Sequence, residues 1–367
     1  MIPFLDMKAV YAELKPELDA AFQRVMESGW FVLGKEVEAF EREYAAFCGT
    51  RHCVGVGNGL EALELVLRAW DIGAGDEVIV PSNTYIATWL AVTAVGATVV
   101  PVEPVPGGPN IDPDRIAAAI TPRTRALMPV HLYGEPADME AIAAVAAKHG
   151  LKVVEDVAQA QGAKVRGRRT GALGDAGAHS FFPTKNLGAF GDGGAVTTDD
   201  AKLAERLREL RNYGSEGKYV NIERGVNSRL DELQAALLRV RLSKLDAWND
   251  RRRVLAARYH DRLAGIEGLG LPRVPQWAEP VWHLYIVRTS RRAEVIAALD
   301  KAGIGSLIHY PIPPHLQQAY ADLRLGKGSF PLAEELAETV LSLPIGAHMA
   351  ADAVDEVADV VRATLGR

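Results

Sequence analysis

Apolar residues along this chain follow two different spacings. Short runs rich in β-branched residues occur at His52–Val56, Glu77–Val80, Thr98–Val102, Ala126–Val130, Leu151–Glu155, Ala178–Phe182 and Gly194–Thr198. Between them, stretches such as Gly59–Ala69 and Asp138–His149 carry apolar residues at helical spacing, as on a helix with one buried face. Short buried runs separated by helices predict βαβ units and a mainly parallel, buried sheet. Ahead of the first run, residues 7–28 predict a helix. It leads into Ser28–Gly34, and a second helix ends near Phe47.

The pattern changes in the last third. Residues from about Asp231 to Ala264 predict one long helix with room for a single break. Past Gly265–Pro272, Trp282–Thr289 reads as a strand, Arg291–Ala302 as a helix and Gly305–Ile308 as another strand. A last helical pair covers roughly 331–341 and 352–365. This predicts an α/β domain followed by a smaller α+β domain. The boundary lies inside the long helix, dividing 1–245 from 246–367.

Composition narrows the function more than the fold. The chain has 367 residues, a net charge of −6 and a pI near 5.9, which argues against a phosphate-backbone binder. Arginine-rich stretches such as Arg206-Leu207-Arg208 and Arg251-Arg252-Arg253 have acidic neighbours and read as solvated helix faces. Two cysteines, Cys48 and Cys53, suit neither a disulfide framework nor a zinc spacing and point to a reducing cytoplasm. The histidines are scattered, so no metal is expected. No apolar stretch is long enough to span a bilayer, and Met1–Asp6 lacks a basic n-region, so neither membrane nor secretion is expected.

The candidate chemistry centres on Lys185, in Ser180-Phe181-Phe182-Pro183-Thr184-Lys185-Asn186-Leu187-Gly188, and on Asp156, which ends the run Val153–Asp156. Pyridoxal 5′-phosphate needs such a pair. An amine must form a Schiff base with its aldehyde, and a carboxylate must keep the pyridine nitrogen protonated. The segment Val54-Gly55-Val56-Gly57-Asn58-Gly59-Leu60 is a strand, a glycine-rich turn and a helix start, suited to a phosphate. It is not a dinucleotide fingerprint: counted from Gly55, the third glycine falls on Leu60. Ser180 could reach the same phosphate. Tyr85, after another strand end, could stack on the ring, with Trp89 as its competitor.

These segments resemble the DegT-type nucleotide-sugar aminotransferases of fold type I. Further markers are Trp30–Gly34, Pro81–Tyr85, Pro129–Gly134, Glu155–Gln159, Gly225–Ala236 and His309–Leu316, so the resemblance spans essentially the whole chain. It implies an α/β fold whose large domain holds a mainly parallel, mixed seven-stranded sheet. Lys185 would be the Schiff-base lysine and Asp156 the pyridine partner. Gln159 would lie against the ring opposite Tyr85. Gly57, Asn58, Gly59 and Ser180 would hold the phosphate, joined by Asn227 of the second subunit of a homodimer. Tyr219, Arg229, His309 and Tyr310 are the candidates for the sugar nucleotide. Ala87–Ala91, Val102–Val105 and the run from Tyr213 to Asn227 bring the chain nearest to 3-aminotransferases of dTDP-3-keto-6-deoxyhexoses that use L-glutamate. The family usually has Gln where this chain has Glu135. Two rival readings remain: a 4-aminotransferase, and a non-catalytic regulatory protein on the same fold.

Overall fold

The computed structural model describes residues 1–366. Seven strands form the central sheet: β1 (His52–Val56), β2 (Glu77–Pro81), β3 (Thr98–Val102), β4 (Thr124–Leu127), β5 (Lys152–Asp156), β6 (Ala176–Ser180) and β7 (Gly194–Thr198). Their order across the sheet is β1-β7-β6-β5-β4-β2-β3. Only β7 is antiparallel to its neighbours, β1 and β6. The remaining pairs are parallel, so six strands end at one edge of the sheet. In open α/β sheets that edge is where ligands bind.

The described residues also form twelve α-helices: α1 (Met7–Ser28), α2 (Lys35–Cys48), α3 (Gly59–Ala69), α4 (Ile86–Ala94), α5 (Pro113–Ala119), α6 (Met139–His149), α7 (Ala201–Leu210), α8 (Glu232–Leu242), α9 (Leu245–Leu263), α10 (Arg292–Lys301), α11 (Pro331–Thr339) and α12 (Ala351–Leu365). Successive strand residues point to opposite faces, which gives the sheet two cores. Val78 and Val80 join Val66 of α3, Val92 of α4 and Leu207 of α7. Ile79, between them, joins Ile116 of α5 and Ile142 of α6. A separate core gathers Leu255 and Tyr259 of α9, Leu299 of α10, Val357 of α12 and the pair β8 (Tyr285–Arg288) and β9 (Val340–Leu343). The start of the chain joins it: Ile2 packs there and donates its amide to the Gly303 carbonyl at 2.9 Å.

Several boundaries differ from the sequence reading. The long helical run takes the single break that the sequence allowed, between α8 and α9, where the Ser243 hydroxyl donates to the Val240 carbonyl at 2.7 Å. Gly305–Ile308 is not a strand; one bridge, Leu307 to Ser342, is all that pairs. The strand expected over Ala126–Val130 ends at Leu127, and that over Ala178–Phe182 starts and ends two residues earlier. Arg252, expected on a solvated face, is buried, while its neighbours Arg251 and Arg253 pair with Glu13 and Asp250. The helical turn sends the middle arginine inward. A hairpin of Ser215–Gly217 and Val220–Asn221 was not legible as paired strands. Cys48 and Cys53 are buried and unpaired.

Candidate active site

Four strand ends supply the site. β1 runs into Gly57-Asn58-Gly59, β2 into Ser82–Tyr85, β5 ends on Asp156 and β6 ends on Ser180. Asn58 caps α3, its side chain accepting from the Glu61 amide at 2.9 Å. The amides of Gly59 and Leu60 open that helix and have no intrahelical acceptor. A Cβ on Gly59 would lie 2.5 Å from the Ser180 Cβ, so only glycine lets these two strand ends approach. The result sets the free amides at the start of α3 beside the Ser180 hydroxyl.

Asp156 is buried. Its Oδ1 accepts from the Ala158 amide at 3.1 Å and its Oδ2 from the Thr88 hydroxyl at 2.9 Å. Burial raises its pKa, against the pull of these bonds and of Lys185. Its neighbour Glu155 points to the other face. There it meets His131 at 2.9 Å and accepts amides from Gly171, Leu173 and Gly174. Burial raises the Glu155 pKa as well, but these bonds outweigh it and the net shift is downward. His131 accepts the Ala137 amide at Nδ1, so its Nε2 is the side that faces the carboxylate. One acid is fully satisfied and structural. The other retains capacity to engage a cation.

Lys185 sits on the loop after β6, half-buried. Burial pushes its ammonium down to about 8, opposed by the charge of Asp156. The loop is fixed from below. Asn186 donates to Asn249 at 2.8 Å and to the Val281 carbonyl at 2.9 Å. Gly188 closes it, since a Cβ there would fall 2.2 Å from the Pro183 carbonyl oxygen.

A second layer approaches from the C-terminal part. Gln159 accepts the Tyr133 amide at 2.7 Å and donates to the Tyr310 hydroxyl at 2.9 Å. The Tyr310 ring lies 5.2 Å from the ring of Tyr85. The Tyr133 hydroxyl donates to the His309 carbonyl, and His309 Nδ1 lies 2.7 Å from the Ser342 hydroxyl. Burial, with the nearby Lys185 charge, holds His309 down to about 4, so it is neutral at pH 7. Tyr85 is 52 % exposed, whereas Trp89 is fully buried in the sheet core and donates to the Pro81 carbonyl at 2.9 Å. Trp89 is therefore a core residue, not a competitor for a ligand ring.

Lys185, Asp156, Gln159, Tyr85, His309 and Tyr310 are thus gathered in one place, and Gly57, Asn58, Gly59 and Ser180 meet at the adjoining strand ends. The 213–229 segment behaves differently. Tyr219 stands at the hairpin tip, 89 % exposed. Asn227 is exposed, and Arg229 donates to Asn212 at 2.9 Å and faces the Tyr213 ring. Among the described residues, no hydrogen bond or ring contact joins these three to the Lys185 group. Sequence reasoning missed Thr88, Tyr133 and Asn186. The first had a signal: Thr84 and Thr88 are four apart at the start of α4, and their hydroxyls lie 2.9 Å apart.

No cluster of His, Cys, Asp and Glu among the described residues is placed to hold a metal ion, and no helix there is long and apolar enough to cross a membrane. A buried carboxylate and a half-buried amine, gathered past the carboxyl ends of a mixed α/β sheet, are the two groups an aminotransferase of the α/β class needs. The chain belongs to the DegT/DnrJ/EryC1/StrS aminotransferase family, whose pattern it matches over residues 12–362. It is 58% identical to dTDP-3-amino-3,4,6-trideoxy-alpha-D-glucose transaminase of Streptomyces venezuelae, over 98% of this chain and 95% of the relative. It is 53% identical to dTDP-3-amino-3,6-dideoxy-alpha-D-galactopyranose transaminase of Aneurinibacillus thermoaerophilus, over 98% and 99%. The crystal structure of S. venezuelae DesV in complex with a ketimine intermediate superposes with a TM-score of 0.98 at 58% identity, covering 100% of this chain and 99% of that one.

Proposed function

We propose that the chain moves the amino group of L-glutamate to the C3 keto group of a dTDP-3-keto-6-deoxyhexose, with pyridoxal 5′-phosphate as cofactor. The product is a dTDP-3-amino-3,6-dideoxyhexose for unusual-sugar biosynthesis. One observation carries this reading: two near-full-length relatives are both named for an amine at C3 of a dTDP-sugar, and they differ in the rest of the hexose.

The residues present fit the cofactor. Amides at the start of α3, the Gly59–Ser180 approach and the Ser180 hydroxyl suit its phosphate. Asp156 suits a protonated ring nitrogen, and the exposed face of Tyr85 suits the ring. When bound, the cofactor supplies an aldehyde for the amine and a ring that takes up electrons. The chain supplies the rest. Lys185 Nζ, held near 8 by burial, takes a proton from the donor Cα and returns one to the acceptor C3. Asp156 Oδ1 and Oδ2 are held by Ala158 and Thr88, so the carboxylate keeps its orientation while it stabilises positive charge. Gln159 is held in place by Tyr133 and Tyr310 and would lie against the ring opposite Tyr85 when the cofactor is bound. His309, Tyr310, Tyr219 and Arg229 face the sugar nucleotide.

The working unit is a homodimer with shared sites, in which Asn227 and the hairpin of Tyr219 serve the partner's pocket. Exposed Trp30, Phe31 and Val32 support this, since Val32 bridges Asp231 beside the Asn227 run and monomers rarely leave such apolar segments open. Two domains, 1–245 and 246–367, are the matching organisation, and the separate core around α9, α10 and α12 favours it. The test is an assay of the purified protein with L-glutamate and, separately, 3-keto and 4-keto sugar nucleotides, followed by NMR of the product. An amine at C4 overturns the reading.

A further inference from the structure

The first six residues run beside the site, and the chemistry above leaves them out. Both ends of this segment are fixed. The Ile2 amide donates to the Gly303 carbonyl, and the Gly305 amide donates to the Ile2 carbonyl, each at 2.9 Å. At the other end Asp6 caps α1, its Oδ1 accepting from the amides of Lys8 and Ala9 at 2.9 and 3.1 Å. The α1 helix is held in turn, with Val10 and Leu14 packed in one cluster with Leu237 of α8. Phe4 lies between these anchors, half-buried. A Cβ on Gly305 would fall 2.7 Å from the Phe4 nitrogen, so the segment reaches this position only because Gly305 has no side chain.

Phe4 begins a row of four rings that ends at the site. Its ring centroid lies 5.9 Å from that of His309, with the planes 30° apart. His309 meets Tyr310 edge-on at 5.4 Å, and Tyr310 lies 5.2 Å from Tyr85. Phe4, Ile308 and Tyr310 also pack against one apolar cluster that includes Tyr133 and Leu336. The other hold on the His309 ring is the Ser342 hydroxyl, 2.7 Å from Nδ1. One hydrogen bond fixes one atom of an imidazole, and the torsion that sets the plane of the ring is intrinsically broad. A ring stacked on its face restrains that plane. Lys185 and Asp156, by contrast, are held by Asn186, Thr88 and Ala158, and none of those bonds touches the row.

We propose that Phe4 is a positioning residue for the acceptor half of the reaction: it fixes the plane of His309, and through that ring the place of Tyr310, against the sugar nucleotide. This rests on the reading of His309 and Tyr310 as sugar-nucleotide contacts. The same cover keeps water from His309, whose pKa is held down to about 4 by burial and then by the charge of Lys185.

The test uses the full chain and the variants Phe4→Ala, Phe4→Leu and Phe4→Tyr. Stopped-flow absorbance follows the two half-reactions separately: the cofactor-loaded enzyme with L-glutamate, and the aminated form with the 3-keto sugar nucleotide. In Phe4→Ala the acceptor kcat/KM should fall about tenfold, the scale of losing one aromatic pair, while the glutamate half stays within about twofold. Phe4→Leu keeps apolar bulk without a flat face and should show the same one-sided loss. Phe4→Tyr should restore the acceptor half. No loss in Phe4→Ala overturns the proposal, and so does an equal loss in both halves, which would make Phe4 structural. A wild-type rate in Phe4→Leu also overturns it, and the Leu and Tyr pair decides if Phe4→Ala does not fold. NMR of the cofactor-free protein labelled with 15N-histidine, with His309→Gln to assign the signal, gives a readout that needs no substrate. In Phe4→Ala the His309 midpoint should rise toward the ordinary 6.5 as water reaches the ring. An unmoved midpoint overturns the proposal whatever the acceptor. A wild type that aminates only a 4-keto sugar nucleotide refutes the C3 reading instead, and the half-reaction comparison is then made on that acceptor.

Discussion

The pocket around Lys185 and the segment from Tyr213 to Arg229 were both expected to serve one reaction, but a single chain assembles only the first. Lys185, Asp156, Gln159, Tyr85 and Tyr310 converge because strand ends and tight turns leave them little freedom. Asp156 has two fixed donors, and the Lys185 loop is tied to Asn249 and Val281. Tyr219, Asn227 and Arg229 lie outside that frame, on a hairpin and the run leading into α8. A residue whose position follows from the sheet is complete in the monomer. A residue on a protruding hairpin acquires its role from whatever the hairpin meets. In the proposed homodimer this difference would give two kinds of loss on mutation, one confined to a subunit and one that crosses between subunits.

The largest effect should come from Lys185→Ala. It removes the group proposed to move the proton, and turnover should cease. A steady-state assay at the wild-type rate would show that the pocket is not the reacting centre. Asp156→Ala should still bind some cofactor through the strand-end amides. It should lose about a hundredfold or more in kcat, several kcal/mol of charge stabilisation in the barrier. A variant within threefold of wild type would remove Asp156 from the mechanism.

Asn227 separates the two regions. Asn227→Asp sets a carboxylate against a phosphate and should nearly silence a site. Mixing Lys185→Ala with Asn227→Asp subunits under exchange puts both defects in one site of the heterodimer if Asn227 acts across the interface. About a quarter of all sites should then be intact, and activity returns. If Asn227 serves its own chain, every site keeps a defect. Proven exchange without recovered activity would therefore exclude the shared site.

A pH experiment sharpens the account of Lys185. Burial lowers its pKa from the ordinary lysine value of 10.5 to about 8 in the folded protein. The free amine that attacks an aldehyde therefore grows in as pH rises through about 8. The same sign holds for stability: a depressed lysine destabilises the fold below its folded pKa, and that penalty disappears between about 8 and the unfolded value. Recombination of the cofactor-free protein with pyridoxal phosphate, followed by absorbance, should show a midpoint near pH 8. A midpoint near 10 would mean that the lysine is solvated.

The difference between the regions also sets what the sequence could disclose. The strands, their glycine turn and the Asp156–Lys185 pairing were legible because each depends on local pattern and short spacing. The single break allowed in the 231–264 run was legible, but its place at Ser243 was not, since helical apolar spacing continues through it. The burial of Arg252 was not, because a charge on an amphipathic helix gives no sign of which neighbour will cover it. Gly305–Ile308 reads as a strand by composition, yet along the other edge of β9 only Leu307 forms a bridge, to Ser342. The Thr84–Thr88 spacing was the one local signal for Thr88, and it could not point to Asp156, 68 positions away.

Thr88 supplies the smallest and most discriminating test. Its hydroxyl donates to Asp156 Oδ2 and exchanges a hydrogen bond with Thr84, so it stabilises the ionised carboxylate that burial disfavours. Thr88→Val keeps the shape and removes that donor. The Asp156 pKa, already raised, should rise further. A charged hydrogen bond of about 1.5–3 kcal/mol is at stake, but the Ala158 amide remains. We expect kcat to fall roughly tenfold, the scale of one such bond, with KM for the sugar nucleotide unchanged. The acid limb of the kcat profile should move to higher pH, because more alkaline conditions are then needed to ionise Asp156. Thr88→Ser should restore both. A fall in kcat with no movement of the acid limb would make Thr88 a packing residue, and Asp156 would then owe its orientation to the Ala158 amide alone.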